Sequence, residues 1–269
     1  MRLGFIGGGN MAAALIGGLL RQGFPAEAIR VAETLAERRA WLEAEFDVAV
    51  EESAADVLAA DVIVLAVKPQ QLSALLRGLP LLRAEQLVLS IAAGVRARDI
   101  ARWLGKHRAV VRAMPNTPAL VGAGITGLFA LPEVSANQKV WADQVLAAVG
   151  AVVWVEDEAQ IDAVTAISGS GPAYVFYFIE ALEQAGIDLG LPADTARKLT
   201  LHTFYGAAAL AIKDISPPAE LRAKVTSKGG TTERGILTLE EGGVKTAIVR
   251  AAHAAAERAV EMGNLLGCD

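Results

Sequence analysis

The sequence predicts an α/β fold, with a doubly wound, mostly parallel sheet in residues 1–156 and an all-helical domain in residues 157–269. Short apolar runs alternate with helical patterns through the first part of the chain, as in βαβ units. Residues 62–67 are continuously apolar, which is typical of a strand buried on both faces. No convincing strand pattern follows Glu156. The two halves therefore belong to different structural classes.

Residues 3–14 read as a short strand, a glycine turn and a helix. Gly7, Gly9 and Ala12 fit the pattern G-x-G-x-x-A, which permits a tight turn, close approach of a pyrophosphate and close packing of helix on strand. The helix start supplies free N–H groups and a positive dipole end to the phosphates. A glycine turn without any ligand is the alternative. The other strands support a Rossmann-like dinucleotide-binding domain.

Later elements continue the alternation. Further strands are predicted at residues 29–33, 47–50, 62–67, 86–91, 109–113, 124–130 and 151–155, with helices at 35–45 and 135–149. Ser53 is predicted to cap the helix that follows the third strand. Ligands of such sheets bind at the carboxyl ends of the strands.

Glu33 follows the second strand, about twenty residues after the glycine turn, where an acid binds the ribose hydroxyls and repels a 2′-phosphate. This position favours NAD(H). Arg38 and Arg39 can soften that discrimination or simply form a solvated helix face. Lys68 is either a cofactor contact or a surface lysine, and Asn116 belongs either to a nicotinamide or substrate contact or to a structural turn. The predicted cofactor-binding residues are Ile6, Gly7, Gly8, Gly9, Asn10, Met11, Glu33, Ser53, Val67, Lys68, Pro69, Ala92, Ala93, Gly94 and Asn116.

The second half is predicted to be helical at residues 161–167, 173–185, 194–213, 220–225, 231–241 and 244–266. The stretch 168–172, Ser-Gly-Ser-Gly-Pro, is interpreted as a break between helices at which a ligand can approach. Tyr174 and Tyr177 are expected to be core residues. Small residues on two helix faces, 207–211 and 251–259, favour close helix packing and a homodimer.

Residues 224–233 bring hydroxyl groups and glycines to the start of a helix, which is typical of an anion site. Because this loop is remote from the glycine turn in sequence, we assign it to a substrate carboxylate. An ordinary capped helix start is the alternative.

Composition limits the partners. The chain has 269 residues, is 53% hydrophobic and carries a net charge of −5, so nucleic acid and anionic membranes are not expected partners. Cys268 is the only cysteine, and the three histidines lack ligand spacing, so no disulfide or metal site is expected. Residues 3–20 superficially resemble a signal peptide, but their glycines make a poor helix. A cytoplasmic location is predicted.

Six segments together resemble the pyrroline-5-carboxylate reductase family: residues 4–11, 66–69, 90–94, 112–118, 167–174 and 225–232. The resemblance implies reduction of 1-pyrroline-5-carboxylate to L-proline, the last step of proline biosynthesis, by NADPH or NADH. It implies a helical dimerisation domain, with dimers often arranged as a decamer of five. Lys228 departs from the family, which more often has proline there.

The resemblance also implies substrate-site residues, namely Glu158, Ser227, Gly230, Thr231 and Thr232. Thr232 is predicted to be the catalytic residue, its hydroxyl group hydrogen-bonded to the ring nitrogen. Two alternatives are a β-hydroxyacid dehydrogenase and a non-enzymatic nucleotide sensor. The helix after residue 171 lacks the lysine and asparagine of the former, and the intact glycines argue against the latter.

Overall fold

The computed structural model describes residues 1–267, so Cys268 lies outside the described residues. One sheet has eight strands in the order β3-β2-β1-β4-β5-β6-β7-β8. Its pairings are parallel except that between β6 and β7. The strands are β1 Leu3–Ile6, β2 Ile29–Ala32, β3 Ala49–Glu51, β4 Val62–Leu65, β5 Leu87–Ser90, β6 Val110–Met114, β7 Gly124–Ala130 and β8 Gly150–Trp154. The predicted doubly wound, mostly parallel sheet is confirmed.

The central strands are apolar because helices cover both faces of the sheet. Residues of β1, β4 and β5 are buried throughout, and alternate side chains enter two separate hydrophobic clusters. Phe5 and Val64 belong to one cluster, whereas Ile6 and Ile63 belong to the other. The helices of this part are α1 Asn10–Arg21, α2 Ala36–Phe46, α3 Pro69–Arg77, α4 Ala97–Trp103 and α5 Ala136–Ala147.

The segment after the sheet differs from the prediction. Helix α6, Gln160–Val164, continues into a π-helical turn, Thr165–Gly169, and α7 begins at Gly171. The predicted break at residues 168–172 is reduced to a bend at Ser170, because Ser168 and Gly169 stay in the π turn and Gly171 and Pro172 already belong to α7. Ser170 N–H bonds to the carbonyl oxygen of Thr165 at 2.8 Å, the spacing of a π turn.

By contacts between backbones, the chain divides into a unit of residues 1–170 with the chain from Ala254 onward, and a unit of Gly171–His253. The end of β8 at Trp154 agrees with the predicted end of the sheet, but α6 and the π turn belong to the first unit. The predicted domain boundary after residue 156 therefore stays a prediction. The remaining helices are α7 Gly171–Asp188, α8 Ala193–Lys213, α9 Pro218–Lys224, α10 Thr231–Glu241 and α11 Val244–Leu266.

The unit of residues 171–253, all of them described, contains almost no core of its own. Ala196 and Thr200 are its buried residues, while Tyr177 is 71% exposed in the single chain. The expectation that Tyr177 lies in the core is wrong for one chain alone. No helix within residues 1–267 combines the length and apolar character needed to cross a membrane.

Candidate active site

The glycine turn joins β1 to α1 at the carboxyl edge of the sheet. Gly7 has a φ of +100°, and a Cβ there would lie 2.7 Å from the carbonyl oxygen of Ala66. Neighbouring strands fix the turn, since Gly7 N–H donates to the carbonyl oxygen of Ala32 at 2.8 Å. Gly9 is the N-cap of α1 and has no neighbour within 4 Å of an added Cβ. This open space at a helix N-terminus suits a phosphate.

Glu33 and Arg38 hold the two sides of the Gly8 peptide. Gly8 N–H donates to Glu33 Oε2 at 2.9 Å, and Arg38 Nε donates to the Gly8 carbonyl oxygen at 2.7 Å. The other oxygen of Glu33 accepts the N–H of Leu35 at 2.9 Å. Arg38 also stacks over Trp41, with Cζ 4.0 Å from the ring centroid. A purely solvated helix face is therefore the wrong interpretation of Arg38.

Arg39 is likewise engaged at the end of β2. Its Nη1 donates to the carbonyl oxygens of Glu33 and Thr34 at 2.9 and 2.8 Å. Its Nη2 lies 3.6 Å from Glu52 Oε2. Both arginines thus act on backbone and carboxylate groups around the glycine turn.

A cleft of about 520 Å³ opens over the turn and the ends of β2 and β4. It brings together the predicted residues Ile6, Gly7, Gly9, Glu33, Val67 and Lys68. Sequence reasoning missed Thr34, Leu35, Glu52, Ala54, Gln71 and other lining residues. These residues follow strand ends directly or lie next to predicted residues, and this position could have identified them as lining residues. Two carboxylates, Glu33 and Glu52, face the cleft along with the ammonium-bearing Lys68.

Other predicted cofactor residues lie around the same edge without lining this cleft. Asn10 and Met11 open α1, and Pro69 is the first residue of α3. Ser53 Oγ accepts the N–H of Ala55 at 3.3 Å and caps a 3₁₀ turn, Ala54–Val57, as predicted for a cap. Their contacts with a cofactor stay predictions.

The ends of β5 and β6 supply the remaining predicted residues. Ala92, Ala93 and Gly94 follow β5, and Gly94 has a φ of +78°. Asn116 follows β6, and both ends of its amide are bonded within the protein: Oδ1 accepts the N–H of Ile125 at 2.9 Å and Nδ2 donates to the Ser168 carbonyl oxygen at 3.1 Å. Direct binding of the nicotinamide by Asn116 stays a prediction, and such binding would compete with these two bonds.

Glu158 lies within an ion cluster. Its Oε1 accepts the N–H of Ala97 at 2.6 Å at the start of α4 and lies 3.3 Å from Arg112 Nη1. Arg112 Nη2 lies 3.2 Å from Asp162 Oδ1, and Arg112 is only 2% exposed. Through these contacts, Glu158 joins the start of α4 to β6. Its role in substrate binding stays a prediction.

The second glycine loop lies in the unit of residues 171–253 and precedes α10. Gly229 has a φ of +74°, and its N–H donates to Glu233 Oε2 at 2.7 Å. Gly230 is the N-cap, and its own N–H bonds to the Ser227 carbonyl oxygen at 3.0 Å. Thr231 and Thr232 open the helix and are exposed. The first N–H groups of a helix lack intrahelical partners, so this start can accept a carboxylate.

The side chains that could bind a metal ion do not converge on a site in the described residues. Within residues 1–267, no group of three or more His, Cys, Asp or Glu side chains is arranged to hold a metal ion.

Comparison with known proteins identifies the family. Residues 158–262 match the family described as pyrroline-5-carboxylate reductase dimerisation, and residues 2–94 match coenzyme F420-dependent NADP oxidoreductase. A pyrroline-5-carboxylate reductase of Pseudomonas aeruginosa is 51% identical over 268 residues, covering 99% of this chain and 98% of the relative.

Solved structures agree with the sequence relatives. A pyrroline-5-carboxylate reductase of Coxiella burnetii has a TM-score of 0.91 and 41% identity, covering 97% of this chain and 98% of that one. A pyrroline carboxylate reductase of Plasmodium falciparum with NADP bound has a TM-score of 0.85 and 29% identity, covering 98% of each chain. These matches favour a reductase over both alternatives raised from the sequence. The chain belongs to the pyrroline-5-carboxylate reductase family.

Proposed function

We propose that this chain binds the two reactants of the family reaction at two separate helix starts. The reaction is the reduction of 1-pyrroline-5-carboxylate to L-proline with NAD(P)H. The start of α1 binds the cofactor pyrophosphate, and the start of α10 binds the substrate carboxylate. The observation that carries the second assignment is the left-handed Gly229 followed by a capping glycine and two exposed threonines. When bound, NAD(P)H would supply the hydride to the carbon of the substrate C=N bond, which becomes C5 of the proline product.

The protein's own chemical task is mainly orientation, because a protonated C=N bond is already a strong electrophile. The backbone N–H groups of Thr231 and Thr232 hold the carboxylate, while that of Gly230 is bonded to the Ser227 carbonyl oxygen and shapes the loop. The ring N–H donates to Thr232 Oγ1, which orients the carbon of the C=N bond toward the cofactor. No dedicated general acid is required if the iminium form binds.

Replacing Thr232 with alanine is expected to lower kcat about 10- to 100-fold, because the ring loses the contact that orients it. KM for NAD(P)H should change less than about threefold. Steady-state oxidation of NADH and NADPH with 1-pyrroline-5-carboxylate measures both quantities. Thr232→Ser should recover most of the activity.

Thr238→Ala is the matched control, since Thr238 lies on the same helix and donates only to the Arg234 carbonyl oxygen, at 3.1 Å. It should keep full activity. Full activity in Thr232→Ala as well would show that the assigned role is wrong.

The proposal extends to cofactor preference, with NADH accepted because of Glu33. Glu33 and Glu52 line the cleft, and both are positioned to repel a 2′-phosphate. Two like charges about 4 Å apart repel by roughly 1 kcal/mol in water, which is about fivefold in affinity, and they repel more strongly near a protein surface. Arg38 and Arg39, which could otherwise attract a 2′-phosphate, already bond to protein groups. Arg38 bonds to Gly8, and Arg39 bonds to Glu33, Thr34 and Glu52.

Glu33→Gln is therefore expected to raise the ratio of kcat/KM for NADPH to that for NADH roughly tenfold. Both absolute values should fall, because glutamine offers one acceptor oxygen where Glu33 accepts from Gly8 and Leu35. Glu37→Gln, in the first turn of α2, is the control and should leave the ratio unchanged. An unaltered ratio in Glu33→Gln would contradict the proposed selectivity.

The chain forms a homo-oligomer through its dimerisation domain, and we propose a homodimer in the cytoplasm as its basic form. Support comes from the nearly coreless unit of residues 171–253, where Phe176, Tyr205 and Ile212 are 63%, 75% and 86% exposed. Burying such side chains contributes about 1.5–3 kcal/mol each. A decamer of five dimers is the larger assembly that the resemblance implies. Light scattering of the purified protein distinguishes the two.

A further inference from the structure

The π turn Thr165–Gly169 lies directly beside the end of β6. Gly169 packs on β6, since a Cβ added there would lie 2.6 Å from Met114 Cε. Ser168 is bonded to Asn116, two residues after the strand. π turns are rare and frequently occur at functional sites.

Asn116 is the polar link between three segments of the first unit. It is 9% exposed, accepts from the Ile125 N–H in β7 and donates to the Ser168 carbonyl oxygen. A hydrogen bond of this kind contributes about 0.5–1.5 kcal/mol. The amide therefore fixes the π turn relative to the loop after β6.

Strand β6 also contacts residues 158–162, which precede the π turn. Arg112 of β6 is paired with Glu158 and Asp162, so residues 158–168 are bound to β6 and its loop at three successive points. The first two contacts are both made by Arg112 within the strand, and the third lies past the carboxyl end of the strand. In doubly wound sheets, the cofactor crosses this edge, with one nucleotide half over each half of the sheet. The proposed function assigns the adenosine end to Glu33 after β2, which leaves β4 to β6 for the nicotinamide half.

We propose that Asn116 is a positioning residue for hydride transfer, which sets the backbone of Ser168 to Ser170 beside the nicotinamide half of the site. It acts through the π turn, without itself binding the cofactor. The proposal rests on the proposed function, because it requires hydride transfer at this edge. It differs from the sequence interpretation, in which Asn116 binds the nicotinamide or substrate directly.

Asn116→Asp tests this role, because it keeps the shape and the acceptor for Ile125 but places an oxygen against the Ser168 carbonyl. We expect kcat to fall at least about tenfold, with KM for NAD(P)H within about threefold. The deuterium isotope effect on kcat, measured with cofactor deuterated at the transferred position, should increase as the hydride step becomes rate-limiting.

Gln138→Glu is the matched control. Gln138 is 7% exposed, its Oε1 accepts from Ser135 N–H at 2.8 Å, and its Nε2 donates to the Glu85 carbonyl oxygen at 3.1 Å. Glu85 precedes β5, so this amide lies toward the opposite, amino edge of the sheet. The control should lose stability while keeping the wild-type kcat and isotope effect.

Gly169→Ala provides a second variant if Asn116→Asp does not fold. Its new Cβ displaces only the flexible end of Met114, so the protein should fold, with kcat reduced about threefold or more and an increased isotope effect. An unchanged isotope effect with a raised KM for NAD(P)H in Asn116→Asp would instead indicate direct binding and overturn the proposal. Unchanged kcat in the folded variants would overturn it as well. Failure of the proposed function is distinguishable, because the wild-type enzyme would then not oxidise either cofactor with 1-pyrroline-5-carboxylate.

Discussion

Gly9→Ala should weaken NAD(P)H binding at least about 100-fold while the protein without cofactor still folds. The φ and ψ of Gly9, −64° and −176°, suit alanine, and the added Cβ would meet no atom within 4 Å. The space that the methyl group takes is the space proposed for the pyrophosphate. Titration of NADH and NADPH by fluorescence gives Kd, and thermal unfolding without cofactor gives Tm.

The cost of this change to the unbound protein is small. Alanine is a poorer N-cap than glycine, by about 1 kcal/mol or less. Gly78→Ala is the matched control, because Gly78 ends α3 and its added Cβ would have no neighbour closer than 3.5 Å. It should leave Kd unchanged. Wild-type Kd in Gly9→Ala would contradict the placement of the cofactor at this turn.

Gly7→Ala cannot serve the same purpose. Its φ of +100° and the 2.7 Å approach to the Ala66 carbonyl oxygen make alanine strained in the folded protein. Loss of binding in that variant would report a damaged turn as readily as a blocked site. Gly9 separates the two effects, because nothing in the folded protein itself requires glycine at this position.

Arg112→Met should destabilise the protein by about 3–5 kcal/mol, since it leaves two mostly buried carboxylates without their cation. The side chains of Glu158 and Asp162 are 17% and 13% exposed, against 3% for Arg112. We expect Tm to fall by at least about 6 °C. Thermal unfolding of the full chain measures this change.

Arg108→Met is the control for the loss of a surface arginine. Arg108 lies 2.6 Å from Glu133, but the two side chains are 67% and 42% exposed. Such a pair contributes about 0–1 kcal/mol. Similar losses of stability in both variants would mean that the Arg112 cluster is no more important than a surface pair.

Local patterns predicted most of the element bounds to within about two residues. The bounds of α10 and α11 agree with the prediction, and β7 does as well. Apolar periodicity and glycine or proline at the ends supplied these signals, which depend on neighbours within a few residues. The run at 168–172 predicted too long a break, because glycine and serine usually end helices. Here the bond from Asn116 and the Ser170 to Thr165 bond keep Ser168 and Gly169 in a π turn, and α7 begins at Gly171.

The candidate site also has features that local sequence predicts and features that it does not. The sequence by itself determined the two glycine turns, the acid after β2 and the family, because each depends on residue type at a fixed spacing. Only the tertiary structure decided that Arg38 holds the Gly8 peptide, that Glu158 pairs with Arg112, and that Asn116 bonds to Ser168. These partners lie 30, 46 and 52 residues apart. Such contacts follow from the order in which strands join the sheet, and no local pattern carries that information.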